Sequence, residues 1–234
     1  MKDYGSTAPL IRFMPILSGS ALKIIAVISM VADHCAYYLM EEDTLLYEAM
    51  RCFGRIAFPV FAYLVAEGFQ HSRNRMSYFL HLLGFAIVSE VPWLLLNGAD
   101  GTHNVMFTLA LSVVALAVFE RLREHRVICG CAILLIMCLA TWLGVDYEWR
   151  GILMIVVFYL LRGSDKYSFP SSRMFQLICT FPIMLHYGVV GALMACLAIF
   201  WYDGTRGFIQ GFWAKYGFYA FYPLHLFALY LVCS

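Results

Sequence analysis

Apolar stretches of helix-spanning length recur from Ala21 to Ser234, and short polar connections separate them. Crossing about 30 Å of hydrocarbon takes roughly 20 predominantly apolar residues in a helix. The spacing predicts nine spans, at 20–40, 54–71, 76–96, 104–120, 127–143, 149–162, 173–187, 188–203 and 216–233. Between 173 and 203, one re-entrant pair serves as well as two spans. The pattern describes an all-α polytopic transmembrane helical bundle, with a single domain over 20–234. Residues 1–19 are polar and irregular, contain Pro9 and Pro15, and lack the apolar core of a cleaved leader, so they are expected to form a cytoplasmic tail.

Composition supports this frame, because 62% hydrophobic and 13% charged residues exceed the balance of a soluble domain. Charge then sorts the connections. Glu41, Glu42, Asp43 and Glu48, the segments 97–103 and 144–148, and the His186-Tyr187-Gly188 turn hold few cations. The alternate side holds Lys2, Arg12, Lys23, Arg73, Arg75, Arg121, Arg123, Arg126, Arg162, Lys166, Arg173, Arg206 and Lys215. Of the 16 cations, only Arg51, Arg55 and Arg150 remain. Positive-inside bias makes the basic side cytoplasmic, with the N-terminus inside and the C-terminus outside, as expected of a multi-pass protein of a bacterial inner membrane. The eight cysteines sit mostly within spans and show neither zinc-ligand nor disulfide spacing. The chain has no Walker loop, dinucleotide fingerprint or two-histidine metalloprotease helix. Neither a metal nor nucleic acid is expected as a partner.

Polar residues inside the spans carry the chemistry. Asp33 and His34 interrupt the first apolar run; an acid at the centre of a membrane helix costs roughly 2.5 kcal/mol or more, so such residues are functional candidates. They lie about 20 Å along the helix from the cytoplasmic entry, in the outer half. Adjacent helical residues do not face each other, so the pair addresses different neighbours, one orienting and one reacting. Pro59 cannot bond the Arg55 carbonyl, which predicts a kink beside that charge. Arg55 is placed to pair with Asp33 or Glu90, or to polarise a substrate carbonyl. Glu90 and Asn104 fall near the outer ends of the third and fourth spans. Asp146 and Arg150 lie on the same side, where a solvated loop explains them equally well. Glu67 and His71, four residues apart, share a face at the cytoplasmic end, suited to a ligand mouth. His225 lies deep in the last span, with Tyr222 on its face. His81, His103, His125 and His186 fall near span ends.

Leu22-Lys23-Ile24-Ile25-Ala26 leading to Val31-Ala32-Asp33-His34, Gly54-Arg55-Ile56-Ala57-Phe58-Pro59, Glu67-Gly68-Phe69 with His71-Ser72-Arg73-Asn74-Arg75, Ser89-Glu90-Val91-Pro92, Asn104-Val105-Met106-Phe107, and Phe221-Tyr222-Pro223-Leu224-His225 occur in order along the chain. Together these stretches resemble the TraX family of conjugal-transfer membrane proteins. The resemblance runs over nearly the whole chain. It implies a multi-spanning acetyltransferase related to integral membrane acyltransferases, whose best-known member acetylates the amino terminus of pilin. It also implies that Asp33 and His34 form the intramembrane Asp-His motif, with Arg55 and His225 in other polar motifs.

On that reading acetyl-CoA is the donor. Its phosphates need cytoplasmic cations, which Arg73, Arg75, Arg121, Arg123, Arg126, Arg162 and Arg173 supply, although plain positive-inside bias produces the same pattern. Acyl transfer to an amine needs a base and a group for the oxyanion. The expected assignment makes His34 the base and Arg55 the polarising group, with Asp33 orienting. Arg73, Arg75, Glu67 and His71 lie at the donor mouth, and Glu90, Tyr222, Asn104 and His225 face the acceptor, a peptide or small-molecule amine. Two readings from other classes are a proton-coupled small-solute transporter, which uses similar buried relays, and a non-catalytic accessory protein of a conjugation or secretion machine. A thermal-shift titration with acetyl-CoA separates the first reading from both.

Overall fold

The computed structural model describes residues 16–162 and 171–234. Nearly all of the expected N-terminal tail lies outside the described residues, as do Lys2, Arg12 and Lys166. The described residues form α1 (Gly19–Leu39), α2 (Leu45–Gly54), α3 (Ala57–His71), α4 (Arg75–Asn97), α5 (Val105–Leu122), α6 (Arg126–Trp142), α7 (Glu148–Leu160), α8 (Ser171–Met184), α9 (Val189–Phe200) and α10 (Phe212–Cys233). A 3₁₀ turn, Leu185–Tyr187, joins α8 to α9.

Local sequence sets several boundaries. Ser18, Thr44, Asn74 and Asn104 cap α1, α2, α4 and α5, their side chains accepting from the N–H groups of Ala21, Tyr47, Ser77 and Met106. Each such cap is worth about 1 kcal/mol. Pro59 sits in the first turn of α3, where it lacks the N–H that would have closed on the Arg55 carbonyl. The expected kink is a full break: α2 ends at Gly54 and α3 begins at Ala57.

Helices α3, α5 and α7 form the centre, where Phe69, Leu116, Ile152, Met154 and Phe158 are fully buried. Around them α4 packs between α5 and α10, and α1 lies against α2 and α3. By contrast, α1 and α10 touch along only a short seam. Ile87, Leu94, Leu135, Leu197 and Leu231 point outward, the apolar exterior that a helix bundle offers to lipid.

Helices occupy all nine predicted spans, and α2 is an addition within what had read as an acidic connection and the start of the second span. Among the described residues, five segments are long and apolar enough to cross a membrane: Gly19–Leu39, Leu45–His71, Arg75–Asn97, Val105–Leu122 and Phe212–Cys233. The region 173–203 resolves into helices of 14 and 12 residues. At 1.5 Å per residue these rise about 21 and 18 Å, each short of the ~30 Å hydrocarbon core. One end of the bundle gathers Gly19, His71, Arg75, Arg123, Arg126, Leu160 and Phe212, and is the basic end. The other gathers Leu39, Asn97, Asn104, Trp142 and Glu148.

Candidate functional site

The short α1–α10 seam is where the two deep histidines meet. His34 Nδ1 lies 2.7 Å from His225 Nε2, with the rings nearly parallel and their centroids 4.9 Å apart. His225 Nδ1 lies 3.2 Å from the Phe221 carbonyl oxygen. A carbonyl only accepts, so His225 carries its proton on Nδ1 and leaves Nε2 bare. His34 must then donate from Nδ1, which leaves a lone pair on His34 Nε2. Tyr222, buried, places its ring 5.4 Å from that of His225.

Asp33 faces the other way, onto α2, and its partner is Arg51: Arg51 Nη1 lies 2.8 Å from Asp33 Oδ2. The close approach depends on Gly54, since a Cβ there would stand 2.3 Å from the Asp33 Cβ. The other carboxylate oxygen, Oδ1, is buried without a hydrogen-bond partner among the described residues. Arg51, whose charge also acts on His34, thus holds the place expected for Arg55. No hydrogen bond or ion pair holds the Arg55 guanidinium among the described residues. Its charge acts on Asp33, Asp146, Tyr147 and Tyr187, and Gly191 of α9 admits its stem, a Cβ there falling 2.4 Å from the Arg55 Cβ.

The loop before α7 completes this cluster. Tyr147 holds a left-handed backbone, φ 65°, which costs a non-glycine residue of order 1 kcal/mol or more. Its ring stacks on Phe58 at 3.6 Å, over Gly151, where a Cβ would stand 2.9 Å from Phe58. The Thr108 hydroxyl donates to the Asp146 carbonyl. Loss of water in this corner pushes the Asp146 carboxyl up to about 7. Asp146 therefore belongs to the cluster rather than to a solvated loop.

Glu90 is not the partner of Arg55. Its carboxylate lies 2.5 Å from His103 Nδ1 and accepts from the Asn104 amide at 2.7 Å. Asn104 also donates to the Ala86 carbonyl at 2.9 Å. Glu90, His103 and Asn104 therefore fasten α4 to the start of α5.

A cavity of about 920 Å³ opens at the basic end. Glu67, His71 and Arg73 line it, and so do Lys23, Arg206 and Lys215. Its deep walls include Met30, Met106, Phe221 and Tyr222. Met30 and Phe221 stand four residues, one helical turn, before His34 and His225. The cavity therefore climbs between α1 and α10 to just beneath the histidine pair. Arg75 is absent from its walls: its guanidinium lies 3.7 Å from Glu120 and over the Phe69 ring. Arg162 faces the same carboxylate at 3.8 Å, and Arg173 bonds the Tyr202 carbonyl. Among the described residues no group of three or more His, Cys, Asp or Glu side chains is placed to hold a metal ion.

Sequence reasoning thus missed Arg51, Lys23, Arg206 and Lys215 as site residues. Arg51 precedes Arg55 by four positions and so shares its helical face, which was the available signal.

Comparison with known proteins bears on this site. The family described as TraX protein matches residues 18–233. The "Probable fimbrial assembly protein FimC, serogroup H1" of Dichelobacter nodosus is 31% identical over 242 aligned residues, covering 93% of this chain and 95% of that protein. An uncharacterised protein of Rickettsia prowazekii (strain Madrid E) is 26% identical over 142 residues, covering 59% of this chain and 52% of that protein. No solved structure matches the chain.

Proposed function

The chain belongs to the TraX protein family, and from that premise we propose that it is a membrane-bound N-acetyltransferase. It carries the acetyl group of cytoplasmic acetyl-CoA to an amine presented from the opposite side of a bacterial inner membrane. The acceptor class is a peptide amino terminus, of the pilin type that the fimbrial relative's name suggests, or a small-molecule amine. The observation that carries the reading is the hydrogen-bonded His34–His225 pair standing one turn above a cavity whose mouth is basic.

The donor enters at the basic end and extends its thioester towards the histidines, while the amine approaches from the Glu90 side. His34 Nε2, kept bare by the hydrogen-bond chain from the Phe221 carbonyl, takes a proton from the attacking nitrogen as the N–C bond forms. The carbonyl oxygen becomes an oxyanion, and Arg51 supplies the nearby positive charge. One of its nitrogens is committed to Asp33, and a guanidinium has further N–H groups to offer. As the C–S bond breaks, the proton on His34 passes to the departing thiolate, giving CoA and the acetylated amine. An α-amine with a pKa near 8 is partly neutral at physiological pH, so the base need only take the proton that the attacking nitrogen sheds as the N–C bond forms. Arg55, with Asp33 and Asp146, forms the wall behind the pair.

Purified protein in detergent should transfer radiolabelled acetyl groups from acetyl-CoA to a peptide with a free amino terminus. His34→Ala should reduce the rate by about a hundredfold or more. Transfer that survives this substitution would overturn the assignment.

A further inference from the structure

Four cations at the cavity mouth are held by no acid among the described residues. Lys23 near the start of α1, Arg73 in the α3–α4 turn, Arg206 in the loop before α10 and Lys215 in the first turns of α10 all line the cavity. None forms an ion pair among the described residues, whereas Arg51, Arg75, Arg123, Arg150 and Arg162 each do. The charges of Lys23 and Arg206 act on each other. The acids at the mouth are already engaged: Glu67 lies 3.9 Å from His71, and Asp203 accepts from the Thr205 N–H and hydroxyl, both at 2.7 Å. Like charges around a half-enclosed space repel, and an anion between them turns that repulsion into attraction.

The loop bearing Arg206 is built rather than loose. Gly204, Gly207 and Gly211 hold φ values of 80°, 77° and 97°, a region glycine enters without steric cost. The Ser20 hydroxyl donates to the Arg206 carbonyl and accepts from the Ile209 N–H, both at 2.8 Å. Gly207 lies so close to α1 that a Cβ would fall 2.3 Å from the Ser18 hydroxyl. Arg206 is therefore held beside Lys23. The N-termini of α1, α4 and α10 open at the same mouth, where Gly19, Asn74 and Gly211 are wall residues. The positive ends of these helix dipoles favour negative charge there.

General positive-inside bias does not account for this placement. Arg121, Arg123 and Arg126 obey the same bias at the same end, yet they are exposed and away from the cavity walls. The distance to the histidines also restricts the ligand. Lys23 to His34 is eleven residues and Lys215 to His225 is ten, a rise of about 15 Å on either helix. An anion at the mouth and a reacting carbon at the pair must therefore be joined by a long, narrow arm.

We propose that Lys23, Arg73, Arg206 and Lys215, on the loop pinned by Ser20, grip the phosphates of a nucleotide-bearing acyl donor whose acyl end lies at the His34–His225 pair. This assignment rests on the transfer reading above. Its test is binding to the full chain in neutral-lipid nanodiscs, with coenzyme A, adenosine 3′,5′-bisphosphate, which keeps two of the three phosphates and lacks the arm, and pantetheine, which has the arm without the phosphates. Coenzyme A and the bisphosphate should bind, and weaken as salt rises. Arg206→Gln and Lys215→Gln should each weaken coenzyme A at least tenfold and abolish bisphosphate binding, with pantetheine unaffected. Arg123→Gln should bind as the parent does.

Unchanged coenzyme A affinity in Arg206→Gln and Lys215→Gln overturns the grip and leaves the transfer reading standing. If the parent protein binds no coenzyme A, both fall. If the variants instead lose binding to phosphatidylglycerol vesicles while keeping coenzyme A, the cations serve a lipid headgroup and the grip is overturned.

Discussion

The hydrogen-bond chain from the Phe221 carbonyl through His225 to His34 determines which imidazole nitrogen of His34 remains free to react, and so gives His225 a role distinct from that of a base. It follows that His225→Ala should lower kcat about 10- to 100-fold, up to the lower end of what a well-placed base supplies. KM for acetyl-CoA should stay within about twofold, because the proposed phosphate grip lies about 15 Å away along α1 and α10. His225→Gln should recover part of the loss, since its amide oxygen still accepts from His34 Nδ1. A Gln variant no better than Ala in steady-state kinetics removes the tautomer argument. At this scale the divergence of Asp33 and His34 was readable, because neighbours on a helix point about 100° apart. That His34 meets His225 was not, since the lateral order of spans leaves no mark in one sequence. That Arg51 rather than Arg55 pairs with Asp33 was hidden for a related reason. Both share one face, and the position of the α2–α3 break decides which of them reaches Asp33.

Among the elements, α2 is the one that hydropathy concealed. Its short amphipathic run follows Glu41, Glu42 and Asp43 and carries Glu48 and Arg51, so it read as a connection. Its function depends on close contact with α1 through Gly54. Gly54→Ala should lower stability by about 1–3 kcal/mol, as overpacking does, and should reduce transfer by parting Asp33 from Arg51. Gly84 in α4 offers the contrast, because nothing lies within 4 Å of a Cβ added there. Gly84→Ala should hold or raise stability by about 0.5–1 kcal/mol through helix propensity alone. Thermal melting of the two variants beside the parent checks both signs; a Gly54→Ala protein that melts and transfers like the parent shows that the contact is slack. The prolines were better guides. Pro59 marked the break that separates α2 from α3, and Pro223 falls within the turn of α10 that carries His225.

The whole molecule has a basic end with a cavity and an acidic end with the Glu90 and Asp146 clusters. Charge sorting along the sequence anticipated these two ends because alternate connections of antiparallel helices must emerge together. The same regularity concealed Lys23, Arg206 and Lys215: a general bias towards cations at one end makes any particular cation look ordinary, and only the cavity distinguishes them. In a cysteine-free background, Asp100→Cys should react with an impermeant maleimide on intact spheroplasts, and Glu124→Cys only after permeabilisation. The reverse pattern would invert the topology and place the cavity mouth outside.

Asp33 and His34 are consecutive, so α1 is gripped on two sides at one level, by Arg51 and the Gly54 surface on one side and by His225 on the other. Any twist of this shaft that tightened one contact would loosen the other. A helix keyed on two sides at one level resists rotation about its own axis. Fluctuations that tilt the outer helices should therefore leave the angular setting of the His34 ring unchanged.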